Sequence, residues 1–188
     1  MRRYFLFDTE TGGLDATKHS LLSFYGLILN QHLEKTGVID LLVKPDDGVY
    51  HVDIEALKVN KIDLIEHDKV AIPESVAGEQ LKAFLWQHFS FNNEQKLIPA
   101  GHNIGRLDIP MGERLIGFGT WNQFFVQRTL DTGTLGQMLI AQGKIPETNK
   151  GSLVELCDQY SVNFEGAHNA KNDVEMCRKL LVAMKNQP

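Results

Sequence analysis

The sequence predicts an α/β fold: a mixed five-stranded sheet, three antiparallel strands followed by parallel ones, flanked by helices. Three observations carry this. The chain opens with three strand-like apolar runs joined by short connections, the pattern of an antiparallel meander. After Gly48, helical and strand patterns alternate. The chain closes on a helix whose apolar residues, Ala170, Val174, Cys177, Leu181 and Met184, fall at the 4-3-4-3 spacing of one buried face.

The elements follow in order. Arg3–Phe7 reads as a strand that runs into Asp8-Thr9-Glu10-Thr11-Gly12-Gly13 and a turn. Leu21–Leu29 is apolar enough for a central strand, and Thr36–Lys44 is the next, ended by Pro45-Asp46-Asp47-Gly48. Asp53–Leu57 and Ile62–His67 read as short helices, with Asp63 at a favourable position near the second helix's positive end. Pro73 opens a longer helix carrying Val76, Leu81, Phe84, Leu85 and Phe89, and Phe91–Gln95 reads as a loop. Leu97–Gly101 is a short strand, although Pro99 weakens its centre. Asp108–Phe118 reads as a helix with Pro110 in its first turn, and Phe124–Leu130 as a strand. Asp131-Thr132 then caps a helix running to about Gln142, Ser152 and Glu155 form a capping box, and the last helix spans about Asn169–Met184.

With 188 residues, and no repeat, low-complexity tract or linker, a single domain covering 1–188 is expected. The net charge of −5 argues against a protein that coats duplex nucleic acid through a broad basic surface. The two cysteines, Cys157 and Cys177, have no zinc spacing and read as reduced thiols on helix faces. The N-terminal apolar run is cut short by Asp8, so no signal peptide is expected, and no stretch is long enough to span a membrane. A cytoplasmic protein is the expectation.

The chemistry is concentrated at the end of the first strand. Alternate strand residues share a face, so Asp8 and Glu10 present two carboxylates side by side. Like charges that close raise each other's pKa unless a cation lies between them, and a divalent metal is the usual answer. An isolated Asp-x-Glu is more often a solvated turn, so partners decide the matter. Asp108 sits just after a strand at the start of a helix and could be a simple cap. Asp173 lies in the first turns of the last helix and could face Lys171 or Arg178 in solvent. His168, one of seven histidines, would stand roughly 140° from Asp173 on a continuous helix, so it is placed in the loop or first turn before it. Asp131 reads as a helix cap, and His102 and Asn103 as residues that close a turn.

Asp8-Thr9-Glu10-Thr11-Gly12, then Gly101-His102-Asn103 with Asp108, then His168-x-Ala170-x-x-Asp173, occur in that order along nearly the whole chain. Here the sequence resembles the DEDDh (DnaQ-like) family of 3′–5′ exonucleases, which includes polymerase proofreading subunits and ribonuclease T. The segment Asp53–Asn60 resembles the family's segment after the third strand. The resemblance implies a ribonuclease-H-like fold and two divalent metal ions, Mg²⁺ or Mn²⁺. It implies that Asp8 bridges both ions, Glu10 and Asp173 hold the first, Asp108 holds or orients the second, and His168 is the general base. Hard oxygen donors and a histidine of near-neutral pKa suit those roles. The sequence departs from the commonest pattern in having four residues between Asn103 and Asp108 and Leu107 before Asp108, which lengthens that loop.

For substrate, backbone groups at Thr9, Thr11 and Gly12, the apolar Leu14 after the glycines, and Asn103 are expected at the 3′-terminal nucleotide. The glycines would let a strand end approach the backbone. Terminal bases of a single strand can stack on apolar surfaces. Phe24 and Tyr25 are adjacent on a strand and read as core rather than cleft. Lys144, Lys150 and Lys171 could meet phosphates, although solvated surface is the commoner fate of any one lysine.

The expected activity is hydrolysis from the 3′ end of single-stranded or frayed DNA, releasing nucleoside 5′-monophosphates, with a polymerase in trans as a conceivable partner. An exoribonuclease trimming RNA ends would use the same site and differ in its treatment of the 2′-OH. A noncatalytic binding or scaffold protein is the third reading, disfavoured because all five family residues are present. Oligomeric state is not legible.

Overall fold

The first strand lies inside the sheet, between its antiparallel and parallel halves. The computed structural model describes residues 2–89, 96–163 and 169–186. In chain order the described elements are β1 (Tyr4–Thr11), β2 (Leu21–Leu29), β3 (Lys35–Lys44), α1 (Ile54–Asn60), α2 (Leu64–Val70), β4 (Ile72–Pro73) and α3 (Glu74–His88). They continue with β5 (Ile98–Gly101), α4 (Asp108–Ile116), α5 (Phe118–Phe124), β6 (Leu130–Asp131), α6 (Thr132–Ala141), α7 (Leu153–Gln159) and α8 (Ala170–Asn186). The sheet order is β4-β3-β2-β1-β5-β6.

β1, β2 and β3 form the expected antiparallel meander, and β5 and β6 are parallel to β1. The described sheet has six strands rather than five, because the two-residue β4 adds a parallel edge against Val43 and Lys44. Pro99 is accommodated in β5 by its direction. The Ile98 N–H donates to Arg3 O on the β1 side, so the missing Pro99 donor faces the other side, where β6 pairs only with Ala100 and Gly101.

The strand expected at Phe124–Leu130 does not form as such. Phe124 ends α5, Phe125 makes one isolated bridge to Leu97, and pairing resumes only at Leu130. Phe124 and Phe125 are both buried in the same core, around Phe5, Trp121 and Leu85. A strand would have sent adjacent rings to opposite faces. The helical turn lets Phe125 pack on both Phe5 and Trp121, at centroid distances of 5.5 and 4.1 Å. The loop expected at Phe91–Gln95 lies outside the described residues.

The two faces of β1 have different partners. Phe5 and Phe7 point into a core closed by Leu81 and Leu85 of α3, Met111 and Leu115 of α4, and the aromatic cluster. Leu6 points the other way, into a core with Leu27, Ala170, Val174, Cys177 and Leu181. The α8 stripe therefore covers the sheet as its spacing predicts, except that Met184 turns aside to pack with the α7 cluster of Leu156 and Cys157. Phe24 and Tyr25 enter opposite cores. Both cysteines are free and buried. No described helix is long and apolar enough to cross a membrane.

Candidate metal-binding and active site

Alternation along β1 puts Asp8 and Glu10 on the Leu6 side, under α8, and Thr9 on the Phe7 side, under α4. α8 supplies Asp173 to the first side. Ligand-capable oxygens of Asp8, Glu10 and Asp173 all lie within 4.8 Å of one another, and each residue is partly buried. α4 supplies Asp108 to the other side. The N-cap position of α4 belongs to Leu107, and the Asp108 carboxylate accepts from Thr9 N at 2.9 Å and from Thr9 Oγ1 at 2.6 Å. Asp108 is therefore not the helix cap that was one of its readings, and Asp173 is not a solvated helix residue.

The electrostatics match this crowding. Burial, then the charges of Asp108, Glu10 and Asp173, push Asp8 well above the usual carboxylate range. Burial, Asp173 and Asp108 push Glu10 up to about 7. Burial raises Asp108 to about 6 despite the two Thr9 hydrogen bonds, which favour its ionised form. Among the described residues, no Lys or Arg forms an ion pair with Asp8, Glu10 or Asp108. An all-oxygen set of converging carboxylates that repel one another suits a hard divalent cation, which would remove that repulsion. The residues present fit such an ion. His168 lies outside the described residues.

Asp131 is the helix cap expected, and it does more. Its Oδ1 accepts from Thr134 N, capping α6, and from Asn103 N, while Oδ2 accepts from Ile104 N. This carboxylate thus fixes the loop after β5. Asn103 takes a positive φ of 58°, and its side chain rests on Gly133, where a Cβ would lie 2.1 Å from the amide oxygen. The turn between Asn103 and Asp108 buries Ile104 beneath Gly101 and leaves Gly105 and Arg106 exposed. His102 Nδ1 bonds Thr132 Oγ1 at 2.9 Å.

Beside the carboxylates lies a cleft of about 350 Å³ lined by Thr9, Glu10, Thr11, Leu14, Ala56, Val59 and Leu107, among others. Leu14 is 68% exposed and Val59 53%, apolar side chains turned outward at the rim of a polar site. Thr11 Oγ1 is spent on Gly13 O, and Thr11 O accepts from Asn60 Nδ2. Gly12 donates to Ser20 O and accepts from Asp53 N. A Cβ on Gly12 would lie 2.4 Å from His51 O, and one on Gly13 would lie 2.7 Å from the His19 ring. The space these glycines leave is filled by the protein itself, a correction to the expectation that it serves the approach of a strand end. Lys144 and Lys150 are exposed, and Lys171 stands 3.9 Å from Asp40 and above the Tyr25 ring.

Sequence reading missed Ala56, Val59 and Asn60 as cleft residues. Their i, i+3, i+4 spacing on α1 was the available signal. It also missed His19 and Arg114, whose partners are set only by folding.

The fold and the carboxylate cluster define a class: a mixed sheet flanked by helices, with an acidic cluster on its first strand that fits a divalent ion. No protein-family model matches the sequence. Ribonuclease T of Actinobacillus pleuropneumoniae is 24% identical over 97% of this chain and 83% of its own length, and ribonuclease T of Haemophilus influenzae is 27% identical over 98% and 81%. In fold, the chain resembles exonuclease I of E. coli bound to zinc and single-stranded DNA, with a TM-score of 0.83 at 15% identity, covering 100% of this chain. Exonuclease I of Methylocaldum szegediense gives 0.79 at 17%. This chain spans only 41% of those exonuclease I chains. The resemblance to the DEDDh (DnaQ-like) exonucleases read from the motifs thus holds in sequence relatives and in fold.

Proposed function

We propose that this chain is a metal-dependent 3′–5′ exonuclease, a single domain over residues 1–188 acting in the cytoplasm on single-stranded or frayed DNA ends. One observation carries the reading: the Asp8, Glu10 and Asp173 carboxylates converge within 4.8 Å, and the charge of Asp108 on α4 acts on Asp8. Names of the relatives, exonuclease and ribonuclease, and the single-stranded DNA bound to the E. coli fold relative, support it.

Asp8, Glu10 and Asp173 would hold one Mg²⁺ or Mn²⁺ ion, and Asp8 with Asp108 a second. Such a pair supplies an activated water and charge stabilisation at the leaving 3′ oxygen. Thr9 favours the ionised form of Asp108 by two hydrogen bonds to one oxygen. His168, from the segment before α8, would take the proton of the attacking water. Leu14, Ala56 and Val59 would receive the terminal base, with Thr9 and Thr11 beside the nucleotide, and the Asn103 loop would contact it. Products would be nucleoside 5′-monophosphates. A polymerase could act alongside in trans.

The ribonuclease T relatives favour a second reading, an exoribonuclease trimming RNA ends. The test is digestion of matched 3′-labelled and 5′-labelled DNA and RNA oligonucleotides with and without Mg²⁺. Stepwise loss from the 3′ end of DNA is expected. Faster loss from RNA selects the second reading, and no metal-dependent hydrolysis of either overturns both.

A further inference from the structure

We propose that His19 is a positioning residue for the substrate's terminal nucleotide: it sets the gap between the Leu14 wall and the α1 wall of the cleft. The proposal rests on the exonuclease reading. Nothing in the sequence singles His19 out; its role comes from what the fold places around its ring. Its Nδ1 accepts from Asp15 N at 3.1 Å, next in the chain to Leu14. Nδ1 being the acceptor, the neutral ring carries its proton on Nε2, which lies 3.2 Å from Asp53 Oδ2. Asp53 directly precedes α1, which contributes Ala56 and Val59 to the cleft that Leu14 also lines. One imidazole therefore joins the Leu14 segment to the start of α1, the two segments that supply the apolar lining, and its flat face packs against Gly13, whose missing side chain admits it.

The rest of the segment is fixed separately. Arg114 Nη1 donates to Ala16 O at 2.6 Å and to His19 O at 2.8 Å, and its Nε and Nη2 bond both oxygens of Glu74. That clamp holds the His19 backbone to α4, the helix that begins with Asp108. The ring is thus anchored relative to the carboxylates, and the walls are anchored relative to the ring. The Asp53 side chain makes no cap bond in α1, so its carboxylate is left to His19. A residue that spaces the walls acts on substrate capture and leaves the reacting carboxylates alone.

The experiment is steady-state digestion of a single-stranded DNA oligonucleotide by the wild-type protein and the variants His19→Ala, His19→Gln, Asp53→Ala and the double alanine variant. The expected result is KM raised about fivefold to tenfold in His19→Ala with kcat within about twofold, as one lost hydrogen bond to a charged group in a half-exposed setting allows. His19→Gln, which can still donate to Asp53, recovers most of the loss. Asp53→Ala, at an exposed position that does not threaten folding, raises KM similarly, and the double variant adds little to either single change. An unchanged KM in both single variants, or losses that fall on kcat, overturns the His19 proposal while the wild-type activity keeps the exonuclease reading. A wild-type protein that leaves this DNA and a matched RNA oligonucleotide intact overturns the His19 proposal and the exonuclease reading together.

Discussion

Thr9 and Asp108, separated by 99 positions in the chain, meet through two hydrogen bonds to a single carboxylate oxygen, from Thr9 N at 2.9 Å and Thr9 Oγ1 at 2.6 Å. The residue between the two carboxylates of Asp8-Thr9-Glu10 is therefore the hinge by which a fourth carboxylate is tied to β1 from the far face of the sheet. Both bonds favour the charged form of Asp108 against the burial that raises its pKa.

Thr9→Val removes the hydroxyl bond and keeps the backbone one. Asp108 should then hold its proton to higher pH, and the Mg²⁺ concentration for half-maximal activity should rise by roughly tenfold, the scale of one hydrogen bond to a charged group. Thr9→Ser should restore it. A Mg²⁺ titration of nuclease activity checks this, and wild-type metal dependence in the valine variant contradicts it.

Asp8→Asn should abolish metal-dependent digestion and at the same time raise the thermal midpoint of the metal-free protein. The substitution removes one of several mutually repelling charges from a partly buried site. Activity and melting in EDTA measure the two effects independently. A protein that keeps full activity refutes the placement of Asp8 at the metal centre.

The pH dependence of the metal-free protein has a definite sign. Glu10 is raised from 4.5 to about 7 and Asp108 from 3.8 to about 6, so the folded state binds these protons more tightly than the unfolded chain. That stability is fully present below the unfolded pKa values and is lost as pH rises through about 6 to 7. Melting in EDTA should occur at lower temperature at about pH 8 than at about pH 5, and Glu10→Gln should flatten the difference. With Mg²⁺ present the order should reverse, because metal binding needs the ionised carboxylates and stabilises the folded state.

His168→Ala should lower turnover by about 10²–10⁴-fold, the range for a lost general base, with little loss of Mg²⁺ affinity. Isothermal titration with Mg²⁺ beside single-turnover kinetics separates the effects. A collapse of metal affinity makes His168 a ligand.

Asp131→Ala should destabilise the fold by about 1–2 kcal/mol, since it removes the α6 cap and strips the Asn103 and Ile104 amides of their acceptor. Urea unfolding reads the change. A loss of activity without loss of stability would assign Asp131 to the chemistry instead.

Much of the fold is legible in local pattern. Leu21–Leu29 has the same bounds in sequence and structure because a largely apolar run, free of charged residues and flanked by polar turns, admits one assignment. The capping box at Ser152 and Glu155 and the cap at Asp131 are likewise local, and both form. Phe124–Leu130 misled because β-branched and aromatic residues score as strand, while the aromatic core draws Phe124 and Phe125 to one side. The two-residue β4 carries no periodic signal at all.

The sequence by itself determined the order of the acidic motifs, the shared face of Asp8 and Glu10, and the buried stripe of α8, because these follow from periods of 2 and 3.6 along a chain. Only the tertiary structure decided that Asp173 joins Asp8 and Glu10, that Asp108 is held by Thr9, and that His19 and Arg114 fix the Leu14 segment. Each of those contacts joins separate elements through space, and no local periodicity encodes which side chain from a distant element will arrive.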